Sequence, residues 1–433
     1  MTDWIGTTFT STIGWEHLES LVELGNRMAG SEGERYGLEL TRDAFEEAGC
    51  SNARIEEFDV QGWVRGESSI VVDDRRYDPI ALPRSPAGTV TGELVDLGYG
   101  LPDDFEQDLD GAIVMVSSDV PDDYDRFIHR REKYYYAVES GAAGFIFANH
   151  VEGCLPPTGS VGSADAPIGE IPAVGASKEL GATLARQHEG SELSIEIDCE
   201  TPEATSGNAI ADLGPDTDEF VIVSSHVDAH DISQGAMDNG AGTATIVEMA
   251  NALAERRDEL DTRVRFVAYG AEEVGLVGSS HLADRIDRDR IKAIVNVDSN
   301  VFGRTLKLDH HGFDALEAAA ETVADRFDHP IVTNGQLVPH SDHWPFVKWG
   351  VPGYMISGET GDRGRGWGHT HADTLEKLDV RNLREQAILL TELVVELTGD
   401  DVRPEPRTEA SIAEQLEAED LATGMKATGD WPY

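Results

Sequence analysis

The chain has 433 residues and a mass of 47.0 kDa, room for two or three domains, and its 40% hydrophobic content excludes wholesale disorder. Against 34 Lys+Arg stand 82 Asp+Glu, a formal net charge of −48. That balance excludes nucleic acid and anionic membrane surfaces as partners, since both attract cationic faces. Acids recur along the whole chain and only seven of the cations are lysine. Such a composition points to adaptation to a salty medium, where at ~1 M salt a Debye length of ~3 Å screens the self-repulsion. Cys50, Cys154 and Cys199 lie far apart without CxxC spacing, so neither a disulfide framework nor thiolate-bound zinc is expected. No run approaches the ~18 apolar residues of a membrane helix. The N-terminal stretch has neither a basic region nor an apolar one, so no signal peptide is readable and a cytoplasmic location is expected.

Residues 20–50 read as helices. Ser31 and Glu34 form a capping box, Leu38, Leu40, Ala44, Phe45 and Ala48 supply the apolar positions, and Gly49 stops the run. From 64 to 200 short β-type runs follow at 69–72, 89–97, 112–116, 144–148 and 193–197, with Gly/Pro/Asp-rich connectors, which predicts a separate, mainly β domain. From 205 to 400, apolar strands at 220–224, 264–269 and 293–297 alternate with amphipathic helices at 241–255 and 380–397. This predicts an α/β fold with a central sheet sandwiched by helices. An acidic helical stretch at 409–421 ends the chain. The expected division is 1–63 and 204–400 for the α/β domain, 64–203 for the insert, and 401–433 for an acidic tail.

Ligands of α/β sheets gather at the carboxyl ends of the strands, and three predicted strands end in unusual polar residues. The first runs into His226-Val227-Asp228, the second into Glu272-Glu273, and the third into Asp298. Between the first two lies the glycine-rich turn Asp238-Asn239-Gly240, and later comes His369. Each signal alone is weak: a lone histidine at a strand end is commonly structural, and Asp-Asn-Gly is an ordinary turn. Together, His226, Asp238, Glu273, Asp298 and His369 offer two imidazoles and three carboxylates. Nitrogen and oxygen donors without thiolate suit Zn²⁺, Co²⁺ or Mn²⁺, and a bridging aspartate permits a pair of ions. Glu272 is the spare carboxylate beside a ligand, the position a general base requires.

The ordered series His226-x-Asp228, Asp238-Asn239, Glu272-Glu273-x-Gly275-Leu276, Asp298, Ser341-Asp342-His343-x-Pro345-Phe346 and His369-Thr370-x-x-Asp373-Thr374 resembles the co-catalytic di-zinc exopeptidases. That family includes leucyl aminopeptidases, glutamate carboxypeptidases and the transferrin receptor. Arg27-Met28-Ala29-Gly30-Ser31 is similar to its N-terminal segment. The resemblance implies two zinc ions: His226 and Asp298 on one, Glu273 and His369 on the other, and Asp238 bridging. It further implies Glu272 as general base and Asp228 orienting His226. The 64–203 segment, with Asp110–Val116 texture at 110–116, Ser140–Phe147 texture at 140–147 and residues 171–177, resembles the protease-associated domain inserted in this family.

The implied activity is that of an aminopeptidase acting on peptides; the sequence says nothing of oligomeric state. A carboxypeptidase or dipeptidase is the alternative, with Arg363 and Arg365 as possible carboxylate binders. A receptor-like, non-catalytic module is disfavoured because all five ligands and Glu272 are present. His340 or His343 is a further choice for holding an oxyanion. His310, His311 and His329 are expected to be exposed bystanders and His371 a bystander, while His230 and Asp231 are expected in a solvated loop, with a substrate-loop role as the alternative.

Overall fold

The computed structural model describes residues 3–124, 126–163, 165–361 and 366–433. An eight-stranded mixed sheet forms the centre of the larger body. In spatial order its strands are Ser51–Gln61, Glu203–Leu213, Arg263–Tyr269, Phe220–His226, Ile291–Val297, Gly353–Gly358, Leu306–Asp309 and Ile331–Asn334. The four inner strands from Arg263–Tyr269 to Gly353–Gly358 are parallel, so their carboxyl ends share one edge. Phe220–His226 and Ile291–Val297 are buried at every residue, as their unbroken apolar character requires of strands covered on both faces.

Helices cover both faces of this sheet. Ala241–Glu255 is buried along nearly its whole length and packs against Val380–Thr398. Glu32–Glu47 is capped by Ser31, whose hydroxyl accepts the Glu34 amide at 3.1 Å, and it lies on the outer strands. The mixed sheet between helices is the architecture expected from the alternating pattern. The acidic tail packs as two helices, Glu409–Ala418 and Leu421–Ala427, whose Ile412, Leu416 and Met425 join the main core.

A second eight-stranded sheet belongs to the inserted segment. Its order is Arg75–Tyr77, Val64–Val72, Glu192–Glu200, Gly88–Asp96, Ile113–Ser117, Gly144–Ala148, Ala173–Ala176 and Ile80–Ala81. The helices Arg130–Glu139 and Lys178–His188 accompany it. The segment leaves and re-enters the larger body beside itself, since Gln61 pairs with Glu203 in antiparallel register.

Three contacts tie the insert to loops at the carboxyl edge of the central sheet. The Arg65 guanidinium makes a two-pronged ion pair with Asp231, at 2.6 and 2.8 Å. Arg84 donates to the Val274 carbonyl, and the Thr158 amide donates to the His369 carbonyl at 2.8 Å. Among the described residues no helix is long and apolar enough to cross a membrane.

Candidate metal centre and active site

The residues singled out in the sequence converge at the carboxyl edge of the parallel strands. His226 is the last residue of its strand and is 1% exposed. Its Nδ1 lies 3.1 Å from the Asp228 carbonyl oxygen. Only an N–H can donate there, so in the neutral ring Nε2 is the nitrogen with the lone pair. That Nε2 stands 3.4 Å from Asp238 Oδ1, 3.7 Å from Asp298 Oδ1 and 3.9 Å from Glu272 Oε2. On the other side, His369 Nε2 lies 3.3 Å from Asp238 Oδ2 and 3.1 Å from Glu273 Oε2. Asp238 therefore presents one carboxylate oxygen to each histidine.

The turn that carries Asp238 and the side chains of Asp298 and Asp228 are held from behind. Asp373, 3% exposed, accepts the amides of Met237 and Asp238 at 2.7 and 3.1 Å, fixing the turn that carries Asp238. Asn239 ties that turn to the Val297 carbonyl and the Ser299 amide. A buried chain of donors runs from Ser224 to Asn296, from Asn296 to Ser341, and from Ser341 to Asp298 Oδ2, with distances of 2.8, 2.9 and 2.8 Å. Asp228 is wholly buried. Its carboxylate accepts the amides of Glu272 and Glu273 at 3.0 and 3.1 Å, and stands 3.5 Å from His226 Nδ1. The carboxylate thus holds the Glu272–Glu273 turn, while its own carbonyl orients the imidazole.

Five carboxylates crowd into this buried space, which is costly unless cations neutralise them. Burial lowers the His226 imidazole, yet Glu272 and the hydrogen-bonding aspartates carry it well above its ordinary range. The same field favours a divalent cation. Burial also resists ionisation of Glu273, but His230 and His369 outweigh it and hold that carboxyl well below its usual range. Glu272 is pushed well above its range by burial, with Glu273, Asp342 and Asp298 adding to the effect and His226 opposing it. His226 Nε2 and Glu273 Oε1 are buried without a hydrogen bond. Donors ~2.0–2.1 Å from a tetrahedral zinc sit about 3.3 Å apart, close to the separations of Asp238 from the two histidines. The residues fit a pair of zinc ions.

A cavity of about 600 Å³ opens on the centre and is lined by Asp238, Glu272, Glu273, Asp298 and His369. Its other walls come from the insert, with Phe127 and Arg130, and from the C-terminal segment, with Leu421, Met425 and Trp431. His340 lines it and stacks on His129 of the insert. His343 is buried, stacks on His311 and bonds the Val338 carbonyl, so it lies off the cavity. Arg363 and Arg365 lie outside the described residues.

Several bystanders are placed differently from expectation. His310 and His311 are buried, not solvated. His230, expected in a solvated loop, is 3% exposed and stands with its Nε2 2.9 Å from Glu273 Oε2. Its neighbour Asp231 is taken up by Arg65 of the insert. The only signal for His230 is its position four residues after His226; its partners Glu273 and His369 lie far along the chain. His371 and His329 stay away from the cluster, bonded to the Ile232 carbonyl and to Glu385.

Residues 208–394 match peptidase family M28 and residues 90–184 match the PA domain. The match to peptidase family M28, with the PA-domain match ahead of it in the chain, agrees with the family that the order of the six motifs implies. Among its relatives, the aminopeptidase YwaD of Bacillus subtilis is 28% identical over 415 residues, which cover 91% of this chain and 85% of YwaD. Probable leucine aminopeptidase 2 of Arthroderma benhamiae is 27% identical over 353 residues, 76% of this chain and 67% of its own. A solved zinc aminopeptidase from Bacillus subtilis superposes with a TM-score of 0.71 at 26% identity, covering 89% of this chain and 94% of that one. A peptidase M28 precursor from Shewanella amazonensis shares the fold, with a TM-score of 0.76 at 22% identity over 93% and 97% of the two chains.

Proposed function

We propose that the protein is a zinc-dependent aminopeptidase that removes residues from peptide N-termini with two co-catalytic zinc ions, and that it is adapted to high salt. The observation that carries this reading is Asp238, whose two carboxylate oxygens face His226 at 3.4 Å and His369 at 3.3 Å. Three of the four named relatives are aminopeptidases, which supports the choice of substrate end. In this reading His226 and Asp298 would hold one zinc, Glu273 and His369 the other, and Asp238 would serve both. The peptidase domain comprises 1–63 and 204–400, the PA domain 64–203, and the tail 401–433.

Bound there, the ions supply Lewis acidity toward the peptide carbonyl and a water. Glu272, on the cavity wall, accepts the proton of the attacking water and returns it to the departing amine. Burial raises its carboxyl well above the ordinary range, which makes it a stronger base. Asp228 fixes the backbone under Glu272 and keeps the general base in register with the scissile bond.

A leucyl chromogenic amide with a free amine, and its N-blocked twin, test this in molar KCl with and without a chelator. Cleavage of the free-amine substrate alone, lost on chelation and restored by Zn²⁺, is expected. Glu272→Gln is expected to lower kcat by roughly 10²–10⁴-fold with zinc still bound. Cleavage that survives chelation, or a fully active Glu272→Gln variant, overturns the reading.

A further inference from the structure

We infer that the ion on the Glu273–His369 side takes His230 as an additional protein ligand, beyond the five residues of the proposed centre. The inference rests on the metal-centre reading above. His230, Glu273 and His369 form one cluster whose donor atoms all lie within 4.8 Å of one another. His230 Nε2 and His369 Nε2 flank the same carboxylate oxygen, Glu273 Oε2, at 2.9 and 3.1 Å, and the two rings stand at 90° with centroids 4.4 Å apart.

Two commoner roles for a buried histidine do not suit it. Its Nδ1 has no partner and its Nε2, 2.9 Å from Glu273 Oε2, is poorly directed for a hydrogen bond, so the ring is badly aligned to brace that carboxylate. It also does not line the cavity, whereas Glu273 and His369 do. His230 therefore approaches the cluster from the side away from bound peptide. A buried imidazole with unpaired nitrogens is expensive, and a cation between it and Glu273 would satisfy it.

The consequence is two unequal sites. His226, Asp298 and Asp238 give one ion three protein donors and leave a position open, the pattern of catalytic zinc. Adding His230 to Glu273, His369 and Asp238 would give the other ion four, so that it reaches the water or the peptide carbonyl only by expanding to five donors. The site with four protein donors should bind first and exchange last.

The test titrates full-length apoprotein with Co²⁺, followed by its visible absorption, in the wild type and in His230→Gln. The wild type is expected to bind in two steps. In His230→Gln the tighter step should weaken by about 100-fold or more and its absorption band should change, while the other step is unaltered. A step of unchanged affinity overturns the inference. Weakened binding with an unchanged band also overturns it and makes His230 a positioning residue for Glu273. X-ray absorption of wild-type protein loaded with one equivalent of Zn²⁺ asks the same question without a variant: two imidazoles on that zinc support the inference and one refutes it. Failure of the wild type to bind either metal would instead sink the metal-centre reading, and this inference with it.

Discussion

Arg27 shows how far a single side chain can reach. Its wholly buried guanidinium donates to the carbonyls of Leu21, Val227, Gln234 and Gly235, at 2.9 Å in each case, and so ties the opening helices to the loop that follows His226. Burial lowers it to about 10, with Asp373 and Asp228 opposing, so it stays charged at neutral pH. Arg27→Met would leave these carbonyls without their donor and should cost on the order of 3 kcal/mol, read from urea unfolding. In the sequence the residue was visible only as part of the Arg27–Ser31 motif, because its four acceptors are backbone atoms spread over two hundred positions. The carboxylates and histidines of the cluster were easier to read, since each follows an apolar strand or sits in a short motif. The placing of His230 is not legible in the sequence, because Asp231 beside it is held by Arg65, which the insert supplies from a distant part of the chain.

At the scale of elements, the insert acts as a clamp on loops of the site. Arg65 and Asp231 are 13% and 14% exposed, too buried for solvent to replace a lost partner. Arg65→Ala should therefore destabilise the protein by about 3 kcal/mol, while the Arg65→Ala/Asp231→Ala double variant should recover part of that loss. A double-mutant cycle in urea measures the coupling. The helix Val380–Thr398 offers a simpler case. Asp379 caps it by accepting the Arg381 amide at 2.9 Å, and the Arg381 side chain and amide lower the carboxyl from 3.8 to about 2. The folded state thus holds this proton less tightly than the unfolded chain does. The stabilisation is present above the unfolded value of 3.8 and is lost as pH falls through about 2. Asp379→Ala should cost about 1 kcal/mol at pH 7, and the gap from wild type should narrow below about pH 4 in thermal melts. Ser51–Gln61 and Glu203–Leu213 were not legible as strands of the central sheet. The first is largely polar, with most of its residues exposed or half-buried, and becomes a strand only through its partner.

For the whole molecule the governing quantity is the net charge of −48. Salt that shortens the Debye length from ~10 Å at 0.1 M to ~3 Å at 1 M relieves the repulsion among surface acids. The thermal midpoint should rise steadily between 0.1 and 2 M KCl, and a flat or falling midpoint would count against salt adaptation. The antiparallel pairing of Gln61 with Glu203 bears on how the chain folds. Joining those strands from an open chain means closing a loop of about 140 residues, at an entropic cost that grows with its length. If the insert collapses first, its own sheet delivers the two ends side by side and the closure becomes a local event. The order of folding would then run from the inside outward: the appended domain forms early and acts as a template on which the catalytic sheet acquires its outer strands.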